Sequence, residues 1–368
     1  MAALAAVLGT VVGASAGGDD AAPEPVAETE SLCGEPASIA RAAGQSVMVR
    51  MEARATPELL AQARAGEIGG VVLFPPPEIE GDRLAAEIKR LQAAAKAGSN
   101  PALLVAIDQE GGAVERLPAL APQVGPYTIR VNDDRSSAVL EGRATGFQLR
   151  ELGIDVNLAP VLDVPESEEQ FMAPRAFGLD PAQVSDLGLA FAGGMRREGV
   201  AATAKHFPGL GRAVENTDFA PTTVPGSQAT LAGDIEPFRA AIAAGVDLVM
   251  VSSASYPGLG SRAPAALAPE VVSGLLREEL AFGGVIVSDD LLAPAIALSR
   301  SRREAAVAAS AAGVDLLLFA AREAPGIAAA LVEATEAGEL EAAELRSSCE
   351  RVVALKARLA PGEPLSGP

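Results

Sequence analysis

The chain has 368 residues, 49% of them hydrophobic and only 3% aromatic, with no Trp and a formal net charge of −19. The apolar share is enough for a large buried core, while the charge excludes nucleic acid and anionic lipid as partners, both of which need clustered Lys and Arg. So few aromatics argue against a long sugar-stacking groove and for a small pocket built from polar side chains.

Residues 1–16 form an apolar, Ala-rich run that ends in Ala14-Ser15-Ala16, a small-residue cleavage pattern. The run reads as a signal peptide directing export; the other reading is a plain Ala-rich leader on a cytoplasmic protein. It is too short for a comfortable membrane span, and no stable span is expected. Residues 17–35 are acidic and contain Pro, and read as a solvated linker. One folded domain is expected over 36–360, followed by a disordered tail at 361–368. The two cysteines, Cys33 and Cys349, flank nearly the whole core. The ends of a barrel chain meet, and an exported protein sits in an oxidising compartment, so a Cys33–Cys349 disulfide is expected; two buried thiols are the alternative.

Short apolar runs recur at 47–51, 70–74, 103–107, 155–158, 200–204, 248–252, 285–287 and 315–319. Each is nearly continuously apolar, as parallel strands covered on both faces must be. Helical patterns separate most of them. Thr56-Pro57-Glu58 supplies a cap and a first-turn proline. Apolar residues recur at helical spacing over 82–97, Asp180-Pro181 and Pro269-Glu270 open two further helices, and 301–312 forms another. Gly153, Gly199, Gly245 and Gly313 stand where helices stop before the next strand. Eight strand–helix alternations give an α/β fold, a single-domain (β/α)8 TIM barrel. A doubly wound open sheet and a barrel with irregular early strands remain as alternatives. No G-x-G-x-x-G follows the first run, which weakens the dinucleotide-binding form of the open sheet.

Catalytic groups of such barrels collect at the C-terminal ends of the strands. The third run ends in Asp108-Gln109-Glu110-Gly111-Gly112, with Arg116 beyond. The fourth leads through Asn157 and Asp163 to Arg175. The fifth is followed by Lys205 and His206, the only histidine, and by the Gly/Pro-punctuated loop Pro208-Gly209-Leu210-Gly211. The sixth ends in Ser252-Ser253 and the seventh in Ser288-Asp289-Asp290. Carboxylates accept bonds from sugar hydroxyls, while Lys and Arg donate to them and keep a nearby carboxylate ionised. An ionised carboxylate under an anomeric carbon is a nucleophile for retaining hydrolysis. A ring of salt bridges that only satisfies the barrel mouth is the other reading; five strand ends contributing together weigh against it. Asp289 and Asp290 are equally eligible as helix caps. Glu110 reads as structural, bonding within the Gly-Gly turn, and Asp163 as a supporting residue behind the site.

The segments IDQEGG, NLAPVLDV, RAFG, KHFPG and VIVSDDL, in this order over about residues 36–358, resemble the motifs of the single-domain β-N-acetylglucosaminidase branch of glycoside hydrolase family 3. The resemblance implies a retaining, exo-acting β-glycoside hydrolase. Its substrates would be β-linked N-acetylglucosamine, including cell-wall and peptidoglycan-type fragments, and it would use no cofactor and no metal. By position, Asp289 is similar to the nucleophile, and Asp108, Arg116, Arg175, Lys205 and His206 to the sugar-binding residues. The loop after KHFPG departs from the pattern. The family reads KHFPGHG and then Asp-Ser-His, whose Asp and His form the acid/base dyad. Here Leu210 replaces the first of these histidines, and Asn216-Thr217-Asp218 replaces Asp-Ser-His. Asp218 is one candidate general acid, its pKa raised by loop closure or by the nucleophile. Glu215 is a second candidate, and a sugar-binding cell-envelope protein with impaired catalysis is a third reading.

Overall fold

The computed structural model describes residues 32–34, 39–320 and 326–360. The leader at 1–16, most of the 17–35 linker and the tail at 361–368 lie outside the described residues. Eight parallel strands form one sheet: β1 (Val47–Met51), β2 (Gly70–Leu73), β3 (Leu104–Ile107), β4 (Val156–Asn157), β5 (Ala201–Phe207), β6 (Leu248–Val251), β7 (Val285–Ser288) and β8 (Leu317–Phe319). β8 pairs with β1, and a bridge between Val287 and Leu316 brings β7 beside β8. The N–H groups of Asp315 and Leu316 both reach the carbonyl of Ile286, at 2.9 and 3.0 Å. The sheet therefore curls into the expected barrel and leaves neither a free edge nor an open-sheet crevice.

Local chemistry sets the helix ends. The Thr56 hydroxyl accepts from Leu59 N (3.1 Å) ahead of helix Pro57–Ala65. Ser301 and Glu304 form a reciprocal capping box at helix Arg302–Ala312, and Gly313, at φ 100°, ends it where a side chain would be strained. Two strands depart from the apolar pattern. β4 is only two residues long, because the Asn157 side chain takes up both backbone groups of Gln109 (2.9 and 2.8 Å) and Pro160 has no N–H to pair. Residues 159–162 still run beside β5, with Thr203 N bonded to Ala159 O at 2.9 Å and Leu162 N to Lys205 O at 2.7 Å. β5 continues to Phe207, so Lys205 and His206 belong to the strand itself; the peptide between them is cis. A small hairpin, Gln109–Gly111 with Val114–Glu115, follows β3 and was not legible as apolar periodicity.

Inside the barrel, Met48, Val72, Leu104, Val156, Leu248 and Val285 pack together with the small residues Ala106 and Ala201. The last helix, Ala342–Leu359, closes the base by adding Val352, Leu355 and Leu359 to this cluster. Its cations finish the attachment: Arg351 meets Asp315 (2.8 Å) and Arg358 meets Asp247 (3.0 Å), both carboxylates fully buried at strand starts. On the same helix, Cys349 forms the disulfide with Cys33, with a Cα–Cα distance of 5.9 Å and a sequence separation of 316. Cross-linking so long a loop restricts the unfolded chain strongly, so Cys349→Ser is expected to cost about 2–4 kcal/mol, seen as a lowered Tm in thermal melts under non-reducing conditions. Among the described residues, no helix is long and apolar enough to cross a membrane.

Candidate active site

A cavity of about 270 Å³ opens at the C-terminal ends of the strands. Asp108, Arg116, Arg175, Lys205, His206, Asp218 and Asp289 all line it, so these candidate residues come to one place. Ser252 and Ser253 do not. Both are buried, and the Ser252 hydroxyl accepts from Ala254 N at 3.0 Å; β6 contributes Met250 to the cavity instead.

Lys205 is the hub. Its Nζ lies 2.9 Å from Asp108 Oδ1 and 2.6 Å from Glu110 Oε1, with the side chain only 2% exposed. Arg175 binds the Glu110 carboxylate through Nε (2.8 Å) and Nη2 (2.7 Å). Arg116 reaches Asp108 at 3.3 Å, and its guanidinium stands 4.2 Å from the centre of the Phe74 ring. The expected role of Glu110 is thus corrected: it does not bond within the Gly-Gly turn. That bond, from Gly112 N, goes to Glu115 at 2.5 Å, and Glu110 points inward to hold Lys205 and Arg175. The signal for this was present, since Asp108 and Glu110 are two apart and extended chain puts i and i+2 on one side.

Charge balance decides the ionisation of these groups. Burial pushes the Asp108 and Glu110 carboxyls up, but Lys205 with Arg116 and Arg175 with Lys205 outweigh it, and both end below the usual carboxylate range. Burial pulls the Lys205 ammonium down, yet Asp108 and Glu110 outweigh it and hold Lys205 charged. Removing that ammonium takes away the one cation that Asp108 and Glu110 share and leaves only the more exposed Arg116 and Arg175 to face two buried carboxylates. Lys205→Met is therefore expected to destabilise the fold by about 3–5 kcal/mol, and adding Glu110→Gln to recover part of it, both read from denaturant midpoints.

Asp289 differs. It is half-buried at the end of β7; one oxygen, Oδ1, accepts from Asp290 N (2.8 Å), and the other has no hydrogen-bond partner among the described residues. Burial raises its pKa above the ordinary value; the charges of His206 and Lys205 oppose the rise, and Asp218 adds to it. Asp290 is the structural member of the pair, since its Oδ1 accepts from Leu292 N and Ala320 N, both at 2.9 Å.

The loop after β5 is tied to its surroundings at several points. Gly209, at φ 123°, leads into it, and Gly211 packs so close that a Cβ there would lie 2.2 Å from Val164 O. Gly209 O accepts from the Tyr256 hydroxyl (3.1 Å), Leu210 N donates to Asp163 (2.7 Å), and Arg212 binds Asp234 (2.7 Å) and Glu166. Farther on, Thr217 O accepts from Ala295 N (3.3 Å). Asn216 turns the chain by accepting from Asp218 N at 2.9 Å, which leaves the Asp218 carboxyl exposed at the cavity. Glu215 is exposed and does not line the cavity. Among the described residues, no group of His, Cys, Asp and Glu has the arrangement of a metal site.

The sequence matches the glycosyl hydrolase family 3 N-terminal domain over residues 39–355. It is 35% identical over 329 residues to an uncharacterized secreted glycosyl hydrolase of Arthroderma benhamiae, covering 86% of this chain and 93% of that one. The solved β-N-acetylhexosaminidase of Beutenbergia cavernae is 35% identical with a TM-score of 0.80, over 87% of this chain and 98% of that one. A family 3 β-N-acetylglucosaminidase from Paenibacillus sp. has a TM-score of 0.83 at 34% identity; the match covers 89% of this chain and 65% of that one, so this chain spans under two thirds of its length. A match that runs the length of the barrel, and solved relatives that share its fold, show that the chain belongs to glycosyl hydrolase family 3 and is a glycoside hydrolase.

Proposed function

We propose that the protein is a retaining, exo-acting β-N-acetylhexosaminidase, with Asp289 as nucleophile and Asp218 as general acid and base. The observation that carries this reading is the contrast between its carboxylates. Asp108 and Glu110 are ion-paired with Lys205, Arg116 and Arg175, whereas Asp289 keeps one oxygen without a hydrogen-bond partner among the described residues and Asp218 lines the same cavity from the loop. Two carboxyls on one cavity, one half-buried and one exposed at its edge, suit attack at the anomeric carbon and protonation of the leaving oxygen. A cavity of about 270 Å³ has room for about one sugar ring, which fits removal of a terminal residue.

The ion-paired floor supplies the sugar contacts: Asp108 accepts from hydroxyls, and Lys205, Arg116 and Arg175 donate. His206 adds its ring. The hexosaminidase specificity follows from relatives bearing that name, such as the Beutenbergia protein. Cell-wall fragments fit as substrates because the Arg116 guanidinium, which lines the cavity, stands 4.2 Å from the centre of the Phe74 ring, where a carboxylate-bearing leaving group finds a cation. Export is supported by the disulfide, by the leader-like residues 1–16 and by the relative described as secreted.

The test is hydrolysis of an aryl β-N-acetylglucosaminide and a natural β-linked disaccharide by the wild-type protein, with the released sugar followed by NMR. The β anomer is expected first. The α anomer first would overturn retention. Binding of N-acetylglucosamine by calorimetry without turnover of either compound would overturn the acid/base assignment and leave a sugar-binding protein.

A further inference from the structure

Asp163 is fully buried behind the cavity and does not line it. Its Oδ1 accepts from the backbone N–H of His206 (3.0 Å) and of Leu210 (2.7 Å), and its Oδ2 lies 2.7 Å from His206 Nδ1. Two backbone N–H groups donate to Oδ1, so the group is held as a hydrogen-bond acceptor. A carboxylate has no proton to give, so the proton shared with Nδ1 belongs to the imidazole. The ring's other nitrogen, Nε2, has no hydrogen-bond partner among the described residues, and His206 lines the cavity. Which nitrogen of a histidine bears the proton is set by the bond that the other makes.

We infer that Asp163 is a positioning residue acting through His206: it keeps the proton on Nδ1, so that Nε2 is the atom that meets the sugar. The same carboxylate pins Leu210, at the root of the loop that carries Asp218. One buried group thereby sets the polarity of the sugar contact and the seat of the acid-bearing loop. The inference rests on the sugar-hydrolase reading above, but its principal readout does not. Charged neighbours do not supply the same control. Lys205, adjacent on β5, is spent on Asp108 and Glu110; Asp289, from β7, makes no hydrogen bond to the ring; Tyr256 donates its hydroxyl to Gly209 O.

His206 is the only histidine, so protein labelled with 15N-histidine gives one pair of ring-nitrogen resonances free of overlap. Long-range 1H–15N spectra of the wild type are expected to show Nδ1 protonated at every pH at which the protein is folded. In Asp163→Asn the amide oxygen still accepts from His206 and Leu210, so the loop root is kept, while the NH2 group donates to Nδ1 and displaces its proton. Nδ1 should then move to the unprotonated range in alkaline solution, with far-UV circular dichroism unchanged. Because Nε2 now presents the opposite hydrogen-bonding sense, kcat/KM for the disaccharide should fall about tenfold or more.

A wild-type Nδ1 in the unprotonated range overturns the inference whether or not the variant folds. So does a folded variant whose Nδ1 is unmoved, and so does a moved Nδ1 with unchanged kcat/KM. Wild-type protein that hydrolyses neither substrate defeats the hydrolase reading instead, and the Nδ1 resonance still decides whether Asp163 holds the proton.

Discussion

Asp289→Asn is expected to lower turnover of both an aryl glycoside and a disaccharide by about 10⁴-fold or more, with sugar binding retained. In the proposed retaining mechanism every substrate passes through the covalent step, so a better leaving group gives no relief. The fold should not suffer. The Asp289 pKa is raised by burial, so the native state binds this proton more tightly than the unfolded chain, and stability from this group is lost as pH rises through its folded pKa. At neutral pH the carboxylate is a cost, and the asparagine variant should melt at a higher temperature than wild type. A nucleophile that weakens the fold it sits in is the signature of a site selected for reaction. Loss of activity with a lowered Tm would instead mark Asp289 as a structural cap. The pH profile gives a second check. Activity falls on the acid side as Asp289 gains its proton, at a pH above the ordinary carboxyl value. Removing the negative charge of Asp218 should move that limb to lower pH, because Asp218 is one of the groups that raise the Asp289 pKa.

The barrel was legible because parallel strands buried on both faces leave unbroken apolar runs, and because caps such as Thr56 and Ser301 act within one turn. The exceptions lie where a distant partner replaces local pairing. Nothing in Asp155-Val156-Asn157-Leu158 says that the Asn157 side chain will take up the backbone of Gln109, 48 residues earlier, and shorten β4. Glu110 was placed in its turn because Gly111 and Gly112 are its neighbours; its actual partner, Arg175, is 65 residues away. The cavity residues were legible as a set, since polar groups at successive strand ends converge once the barrel closes. Their division into paired and unpaired carboxylates was not, because it depends on distances of a few ångströms across the barrel mouth. The two cysteines were readable for the opposite reason: chain ends meet in any closed barrel, whatever lies between.

Asp218→Asn should separate substrates by their leaving groups. Cleaving the disaccharide expels a sugar alkoxide, which needs a proton as the bond breaks, and a missing general acid costs about 10²–10⁴-fold there. An activated aryl leaving group departs as a stable phenolate and needs little help, so kcat/KM for the aryl substrate, which reports the first step alone, should be nearly unchanged. The second step still needs a base to activate water. Aryl turnover should therefore slow at saturation and show a burst of one phenol per enzyme. Azide, a small nucleophile with no proton to lose, should restore that turnover and yield a glycosyl azide of retained configuration. Three observations favour Asp218 for this role: Asn216 turns the chain beneath it, Thr217 is held by Ala295, and the carboxyl is left at the cavity edge. Glu215, one residue before Asn216, does not line the cavity, and Glu215→Gln should leave both substrates within about twofold of wild type. If Glu215→Gln gives the leaving-group split and Asp218→Asn does not, the proton comes from the other carboxyl and the loop must move to deliver it. If neither does, water protonates the leaving oxygen, and the disaccharide should be a poor substrate of the wild-type protein as well.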